Sequence, residues 1–260
     1  MKTAFFDSGI GGLSVLHHAM KILPNEEFIF FADEDNVPYG TKTREQVLKY
    51  VVDAFKFLVT QKVDAIVVAC NTATSVAVRQ MREKYSVPII GMEPAVKVAL
   101  DLFPARKVLV TATEITVRGE KIKNLIAKLD AEKFVELRAL PKLVEFAERQ
   151  EFNSAEVENY LRGEFAEYDF ENFSSVVLGC THFNYFKDTM KKILPPHIKF
   201  LDGNEGTINQ LMKLTDLKPE TATKKIPQVE YFYSGRKITQ AEEILRLEKY
   251  LRRLDEMYLI

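Results

Sequence analysis

The chain has 260 residues, 47% hydrophobic and 28% charged, with 36 lysines and arginines against 37 aspartates and glutamates. A net charge of −1 provides no basic excess, which argues against direct binding to DNA or RNA because neutralising phosphates supplies most of that affinity. The hydrophobic content is sufficient for a buried core, and the length fits one large domain or two of about 130 residues.

The same features predict where the protein works. No apolar run reaches the roughly 20 residues of a transmembrane helix, so we expect no membrane association. Asp7 interrupts the apolar start of the chain where a secretory signal needs its hydrophobic region, which predicts a cytoplasmic protein. Cys70 and Cys180 are too few for a disulfide framework and lack the close pairs of a structural zinc site, so we predict free thiols.

Short segments rich in valine, isoleucine and phenylalanine alternate with longer segments of helical period. The predicted strands span residues 3–6, 27–32, 65–69, 87–91, 107–111, 133–139, 175–178 and 228–233. The predicted helices span residues 13–22, 43–60, 74–85, 94–103, 119–129, 143–149, 154–166, 183–193 and 241–255. Residues 86–93 and 195–203 are predicted crossover segments, and the polar residues 216–227 a loop. This alternation predicts an α/β fold with parallel sheets.

Two segments of the chain share one pattern. Residues 64–73 and 174–183 each read as a buried strand, a small residue, a cysteine and a polar helix cap. Cys70 and Cys180 are 110 residues apart, about the length of a small α/β domain. We therefore expect the cysteines to occupy equivalent positions in two similar halves and to face each other across a cleft.

Both cysteines are predicted to lie at the carboxyl end of a strand, and this position favours a catalytic role. Parallel sheets bind ligands at this edge, where the following helices offer free N–H groups. The positive helix terminus also lowers the pKa of a thiol, which makes Cys70 and Cys180 candidate bases or nucleophiles. The alternative is that each is a small buried hydrophobic residue.

A glycine-rich turn follows the first predicted strand, with glycines at 9, 11 and 12. Such a turn can bind an anion on its backbone amides. The spacing is not that of a dinucleotide fingerprint, and the sequence contains no phosphate-binding loop motif, so NAD and ATP are not predicted. Asp7 and Ser8 are either helix caps or an acid/base partner and a ligand donor. Tyr39 and Gly40 offer a hydroxyl and an amide, or simple turn chemistry.

His182 follows Cys180 by two residues. At this spacing it can perturb the pKa of the thiol or relay a proton, although a histidine satisfied by backbone at a helix start is the alternative. Cys180 and His182 would supply two metal ligands, and the sequence shows no third, so no metal site is predicted.

Five motifs, in order along the chain, resemble those of glutamate racemases. They are Asp7-Ser8-Gly9 with Gly11-Gly12, Pro38-Tyr39-Gly40, Ala69-Cys70-Asn71-Thr72-Ala73, Glu93-Pro94 and Leu178-Gly179-Cys180-Thr181-His182-Phe183. The resemblance implies a racemase that uses neither pyridoxal phosphate nor a metal and supplies D-glutamate for bacterial peptidoglycan. It also implies that each chain folds into two flavodoxin-like parallel-sheet domains related by pseudo-twofold symmetry, with the active site in the cleft between them, and that two chains form a homodimer. On this basis residues 1–95 with 208–260 form the first domain and residues 96–207 the second.

The resemblance also assigns the site. Cys70 takes the α-proton from the D isomer with Asp7 as its partner, and Cys180 takes it from the L isomer with His182 and Glu148. The implied substrate contacts are Asp7, Ser8, Tyr39, Gly40, Asn71, Thr72, Thr113, Thr116, Thr181 and His182. The chain departs from the usual pattern at Asn36, Arg118 to Lys121, Leu140, Glu145 and Arg236, none of which is an implied catalytic group.

Two other functions stay open at this point. The first is a racemase for aspartate or a related acid, because a difference of one methylene is worth only about 1–3 kcal/mol of pocket preference. The second is a non-catalytic protein on the same scaffold that binds an amino acid or regulates a partner. The paired thiols favour an enzyme, since a binding protein has no need of two bases.

Overall fold

Two separate β-sheets organise the chain. The computed structural model describes residues 1–220 and 226–260, and this part of the chain forms ten strands and eleven α-helices. The first sheet contains β1 (Lys2–Asp7), β2 (Glu27–Ala32), β3 (Ala65–Val68), β4 (Ile89–Gly91), β9 (Gln228–Tyr233) and β10 (Arg236–Lys237). The second contains β5 (Lys107–Ala112), β6 (Val135–Ala139), β7 (Phe173–Leu178) and β8 (Lys199–Asp202). All pairings are parallel except that of β9 with β10.

The helices fill the connections between these strands. They are α1 (Leu13–Ile22), α2 (Arg44–Thr60), α3 (Asn71–Lys84), α4 (Val96–Leu102), α5 (Glu114–Arg118), α6 (Glu120–Lys128), α7 (Pro141–Glu148), α8 (Ala155–Phe165), α9 (Lys187–Ile193), α10 (Asn204–Thr215) and α11 (Ala241–Tyr258). A 3₁₀ helix, Thr181–Phe186, links β7 to α9. Among these described helices, none combines the length and the hydropathy of a transmembrane span.

The two sheets repeat one topology. The first sheet has the order β10-β9-β2-β1-β3-β4 and the second the order β6-β5-β7-β8, so β2-β1-β3-β4 corresponds to β6-β5-β7-β8. This is the order of flavodoxin-like sheets, in which ligands bind where the strand order reverses, between the first and third strands. Cys70 follows β3 and Cys180 follows β7, which are the third strands of their sheets. The predicted α/β fold with two flavodoxin-like parallel sheets is confirmed.

Strands of the first sheet are hydrophobic on both faces because helices cover both. Phe5, Phe30 and Val67 belong to one hydrophobic cluster, while their neighbours Phe6 and Phe31 belong to another on the opposite face. The first cluster continues into the second sheet and its helices, where it includes Val144, Phe173 and Tyr185. One hydrophobic core therefore joins the two sheets.

The structure departs from the predicted elements in a few places. The segment 195–203, predicted as a crossover, contains the edge strand β8, whose four residues pair with β7, so this prediction was wrong. Helices α5 and α10 and the short strand β10 were not predicted. Helix α3 begins at Asn71, three residues before its predicted start, because Cys70 caps it. Of the predicted loop 216–227, residues 221–225 lie outside the described residues.

The strands divide between the sheets by sequence position. Those of the first sheet come from residues 2–91 and 228–237, and those of the second from residues 107–202. Helix α10 follows the last strand of the second sheet but packs against α1, β3 and β4 of the first. The domain boundaries at residues 95 and 208 stay a prediction.

Candidate active site

Both cysteines line one buried cavity between the two sheets. Cys70 is 6% exposed and Cys180 is 7% exposed, and both are free thiols. The other residues lining the cavity are Ser8, Pro38, Tyr39, Gly40, Asn71, Thr72, Thr113, Val144, Thr181 and His182. The loops after β1, β2, β3, β5 and β7 thus meet in one place, since the carboxyl ends of parallel strands share one edge of a sheet.

Cys70 is the amino-terminal cap of α3. Its sulfur accepts a hydrogen bond from the Ala73 N–H at 3.4 Å, and its thiol donates to Ser8 Oγ at 3.7 Å. Burial and the nearby Asp7 carboxyl raise the pKa of the Cys70 thiol well above its usual range, although the Ala73 N–H opposes this. The helix terminus lowers this pKa as predicted, through the Ala73 N–H, but desolvation outweighs that one group, so the predicted gain in thiolate was wrong. Cys70 therefore rests as a neutral thiol.

Asp7 lies behind Cys70 at the end of β1 and is completely buried. One carboxyl oxygen accepts from the Gly9 N–H and the Ser8 hydroxyl, each at 3.2 Å, and the other accepts from Thr181 Oγ1 at 3.0 Å. Burial raises the pKa of Asp7, while His182 and these hydrogen bonds lower it in part. Through Thr181 this carboxyl joins the first sheet to the loop that carries Cys180.

His182 connects Cys180 to Glu148. Its Nδ1 lies 3.8 Å from the Cys180 sulfur, and its Nε2 lies 2.6 Å from Glu148 Oε1. Burial by itself would lower the pKa of His182, but the hydrogen bonds with Cys180 and Glu148 outweigh it and raise that pKa well above its ordinary value. His182 is therefore an imidazolium at neutral pH, with the carboxyl group of Glu148 on one side and the sulfur of Cys180 on the other.

The glycine-rich turn allows the two sides of the site to approach closely. A side-chain carbon at Gly9 would collide with Glu148, and one at Gly11 would collide with both His182 and Thr181. The Gly9 N–H donates to Asp7 and the next N–H of the turn donates to Glu148 Oε1 at 3.1 Å, so these two amides hold carboxyls of the chain itself. Gly9 and Gly11 are required because the backbone of this turn lies too close to Glu148, His182 and Thr181 for a side chain.

The remaining predicted side chains form a polar wall on the Cys70 side. Thr72 and Thr113 hydroxyls lie 2.9 Å apart, and Thr113 donates to Thr116 Oγ1 at 3.1 Å. The Tyr39 hydroxyl donates to Asp33 Oδ2 at 2.6 Å. Asn71 is 7% exposed, and its Oδ1 has no hydrogen-bond partner among the described residues. This carbonyl oxygen is an acceptor that a ligand can use.

Not every predicted residue reaches the cavity. Asp7 and Glu148 lie one hydrogen bond behind its lining, and Thr116 lines a neighbouring groove that also contacts Asn71. Asp33, which accepts the hydrogen bond from the Tyr39 hydroxyl, was not predicted as a site residue. The only sign of it in the sequence is an acidic residue directly after β2. Across residues 1–220 and 226–260, no group of three or more histidine, cysteine, aspartate or glutamate side chains is arranged to hold a metal ion.

Comparison with known proteins decides the family. The family model described as Asp/Glu/Hydantoin racemase matches residues 14–211. The glutamate racemase of Campylobacter curvus is 52% identical over 264 residues, which cover 99% of this chain and 98% of the relative. The chain belongs to the Asp/Glu/Hydantoin racemase family. The predicted enzyme class, an amino-acid racemase, is confirmed.

Solved structures agree with this assignment. The racemase superposes on Francisella tularensis glutamate racemase in complex with D-glutamate with a TM-score of 0.78 and 28% identity, covering 96% of this chain and 93% of that one. It superposes on Escherichia coli glutamate racemase in complex with L-glutamate and the activator UDP-MurNAc-ala with a TM-score of 0.79 and 28% identity, covering 96% and 94%. The racemase therefore shares their two-domain fold over nearly its whole length.

Proposed function

We propose that this racemase interconverts L- and D-glutamate without a cofactor, with Cys70 and Cys180 as its two acid/base groups. The observation that carries the proposal is the placement of two thiols at equivalent strand ends, lining one buried cavity. Racemisation removes the α-proton from one face and returns a proton to the other, so one rigid base is not enough. With one thiol from each sheet, one can remove the proton from one face while the other returns a proton to the opposite face.

Each thiol has its own supporting group. Cys70 takes the proton from the D isomer with Asp7 behind it, and Cys180 takes the proton from the L isomer with His182 and Glu148 behind it. The raised pKa of Cys70 makes its thiolate a strong base, which suits an α-proton that is far less acidic than a thiol. In either direction one sulfur begins as a thiolate and the other as a thiol.

The site must also stabilise the negative charge that develops at the α-carbon. N–H groups at the start of α3 can hold a substrate carboxylate and this charge. The hydroxyls of Ser8, Thr72 and Thr181 can add to this by rotating from their present acceptors, Asp7 and Thr113, toward the substrate. The unpartnered Asn71 Oδ1 can accept a hydrogen bond from the substrate ammonium. Tyr39, Gly40, Thr113 and His182 complete the proposed substrate contacts, and Thr116 acts through its hydrogen bond with Thr113.

The biological setting is part of the proposal. Similarity to glutamate racemases supports glutamate as the substrate, and D-glutamate is a component of bacterial peptidoglycan, which this enzyme would supply in the cytoplasm. We propose a homodimer in which each chain has two domains, with boundaries near residues 95 and 208.

Proton exchange tests the substrate and the absence of a cofactor. The purified protein is incubated with D-glutamate in D₂O, with a metal chelator and no pyridoxal phosphate, while optical rotation and the α-proton signal are followed together. We expect both signals to decay for glutamate, and D-aspartate to react roughly 10- to 200-fold more slowly. If neither amino acid exchanges its α-proton, the proposed activity is wrong.

Serine variants test the two-base mechanism. Cys70→Ser and Cys180→Ser keep the size of the side chain but replace the thiol by a far weaker acid, so we expect racemisation to fall by roughly 10²- to 10⁴-fold. The melting temperature should stay near that of the wild type. A double variant that still inverts glutamate would contradict the mechanism.

A further inference from the structure

Behind His182, two carboxyl groups face one guanidinium. Glu148 Oε2 and Glu34 Oε2 each lie 3.5 Å from a terminal nitrogen of Arg246, which belongs to α11. The Glu148 and Glu34 side chains are 14% and 16% exposed, so their mutual repulsion is only weakly screened. Burial and the nearby Glu148 raise the pKa of Glu34 to about 7, although Arg246 opposes this. Arg246 and His182 both offset this repulsion, and Arg246 is the cation that contacts both carboxyls.

The two oxygens of the Glu148 carboxyl have different partners. Oε1 is held by His182 Nε2 and by the Ile10 N–H. Oε2 accepts no hydrogen bond from any residue that the structure describes, and it faces Arg246. The two hydrogen bonds hold Oε1, and attraction to the guanidinium sets the direction of Oε2.

Helix α11 also fixes the end of α7 that carries Glu148. An Arg246 Nη2 donates to the backbone carbonyl of Glu148 at 3.2 Å, and the Tyr250 hydroxyl lies 2.9 Å from the carbonyl oxygen of Ala147. The last carbonyls of a helix have no partner within the helix, so these contacts satisfy them. The guanidinium lies over the rings of Tyr233 and Tyr250, 5.9 and 5.7 Å from their centres, which fixes its own position.

We propose that Arg246 is a positioning residue for the acid/base group of the L-glutamate side, acting through Glu148 and His182 on Cys180. The inference rests on the two-cysteine mechanism proposed above. Arg246 does not line the cavity that holds the cysteines, so it acts only through other side chains. Without the guanidinium, the Glu34 and Glu148 pair shares a proton or moves apart, and either change displaces His182 from the sulfur. Cys70 is affected by this change only indirectly, through the charge of His182 on Asp7, so its proton transfer is affected less than that of Cys180.

The equilibrium constant of the reaction limits which measurements can detect an effect on one cysteine. The two isomers of glutamate have equal free energy, so kcat/KM is the same in both directions for every variant. An effect on one cysteine is therefore invisible in the ratio of the two rates. It is visible in the primary deuterium isotope effects, which report which proton transfer limits each direction.

The variant is Arg246→Met, and the control is Arg252→Met on the same helix, where Arg252 is 71% exposed and pairs with Glu248. We expect kcat/KM of Arg246→Met to fall by roughly 10- to 100-fold, the range that a small misplacement of a catalytic group costs. The isotope effect with L-[2-²H]glutamate should rise, because removal of its α-proton by Cys180 becomes rate-limiting. The isotope effect with D-[2-²H]glutamate should fall toward one, because the limiting step is then the return of a proton by Cys180. Arg252→Met should match the wild type, and Arg246→Lys should recover part of the rate by restoring the charge.

A second variant covers the case in which Arg246→Met does not fold. Glu34→Gln removes one charge of the pair and keeps its shape, and the groups that face Glu34 are Glu148, Arg246, Tyr233 and His182. We expect an inflection near pH 7 in the wild-type kcat/KM profile that is absent from Glu34→Gln.

Two results would overturn the inference, and they differ in what else they affect. If Cys180→Ser still racemises glutamate, the two-cysteine mechanism is wrong and the inference falls with it. If Cys180→Ser is inactive while Arg246→Met matches Arg252→Met in rate and isotope effects, or Glu34→Gln keeps the wild-type pH profile, the inference alone is wrong.

Discussion

At Cys70 and Cys180 the same thiol side chain lies in two different environments. Cys70 contacts a hydroxyl and a helix N–H, with the fully buried carboxyl of Asp7 behind them, and its pKa is raised by burial and by that carboxyl. Cys180 contacts His182, whose charge is fixed by Glu148. In the proposed mechanism these environments give the site one side supported by a carboxyl and one supported by an imidazolium.

Gly11 tests how closely the turn must approach the second sheet. In Gly11→Ala the added carbon collides with His182 and Thr181, so both must move, and we expect kcat/KM to fall by on the order of 10²-fold. Gly163→Ala in α8 is the control, because a side-chain carbon there meets nothing within 4 Å. That control should keep full activity and gain about 0.5–1 kcal/mol of stability. Full activity in Gly11→Ala would show that the turn has room to spare.

The raised pKa of Glu34 predicts how the free energy of unfolding changes with pH. Its pKa is about 7 in the folded protein against an ordinary value of 4.5, so its stabilising contribution is complete below pH 4.5 and is lost as the pH rises through 7. Glu34→Gln does not titrate, so between pH 5 and pH 8 the wild type should lose up to about 3 kcal/mol relative to this variant. Urea unfolding at both pH values measures the difference. Parallel pH dependence of the two proteins would refute it.

The ends of helices place the reacting side chains. Cys70 caps α3, Cys180 directly precedes the 3₁₀ helix Thr181–Phe186, and Glu148 is the last residue of α7. Pro141 starts α7, where its missing N–H costs nothing, and the eight-residue length of the helix brings Glu148 to His182. A helix end shifted by one residue would rotate its side chain away from the site, so these boundaries matter for catalysis.

Helix α2 provides a contrasting case, because its amino terminus contributes only stability. Thr43 Oγ1 accepts from the Gln46 N–H at 3.2 Å, and the Gln46 side chain accepts from the Thr43 N–H at 2.9 Å. Thr43→Ala should lower the free energy of unfolding by about 1 kcal/mol and leave kcat/KM unchanged, while Thr43→Ser should behave like the wild type. Urea unfolding and the racemisation assay check both parts. A fall in kcat/KM without a loss of stability would connect this cap to the site.

On the scale of the whole molecule, the site is a joint between two sheets. Thr181 donates to Asp7, the Ile10 N–H donates to Glu148, and the Tyr185 hydroxyl donates to the Ile10 carbonyl at 3.1 Å. One hydrophobic cluster continues from the first sheet to the second beneath these contacts. A ligand bound in the cavity contacts both sheets and so stabilises their joint arrangement.

Ligand binding should therefore stabilise the whole protein. D-Glutamate at 100 times its Kd should add about 2.7 kcal/mol, which raises Tm by several degrees in a chain of this size. D-Aspartate at the same concentration should raise Tm less. The double variant Cys70→Ser, Cys180→Ser should keep most of the shift, because the thiols perform chemistry and contribute little binding. No shift with D-glutamate would show that the folded protein does not bind it at these concentrations.

The α/β class, most of the strands and helices, and the pairing of the two cysteine motifs can be predicted from the amino-acid sequence. Apolar runs, helical period and caps are local signals, and each is complete within a short segment. The edge strand β8 escaped prediction because its residues are only partly buried and its partner β7 provides the pairing. The raised pKa of Cys70 and the contacts of Glu34 and Glu148 with Arg246 depend on tertiary packing and have no local signal in the sequence. Desolvation and charge pairing depend on everything packed around a group, and these neighbours come from segments far apart in the chain.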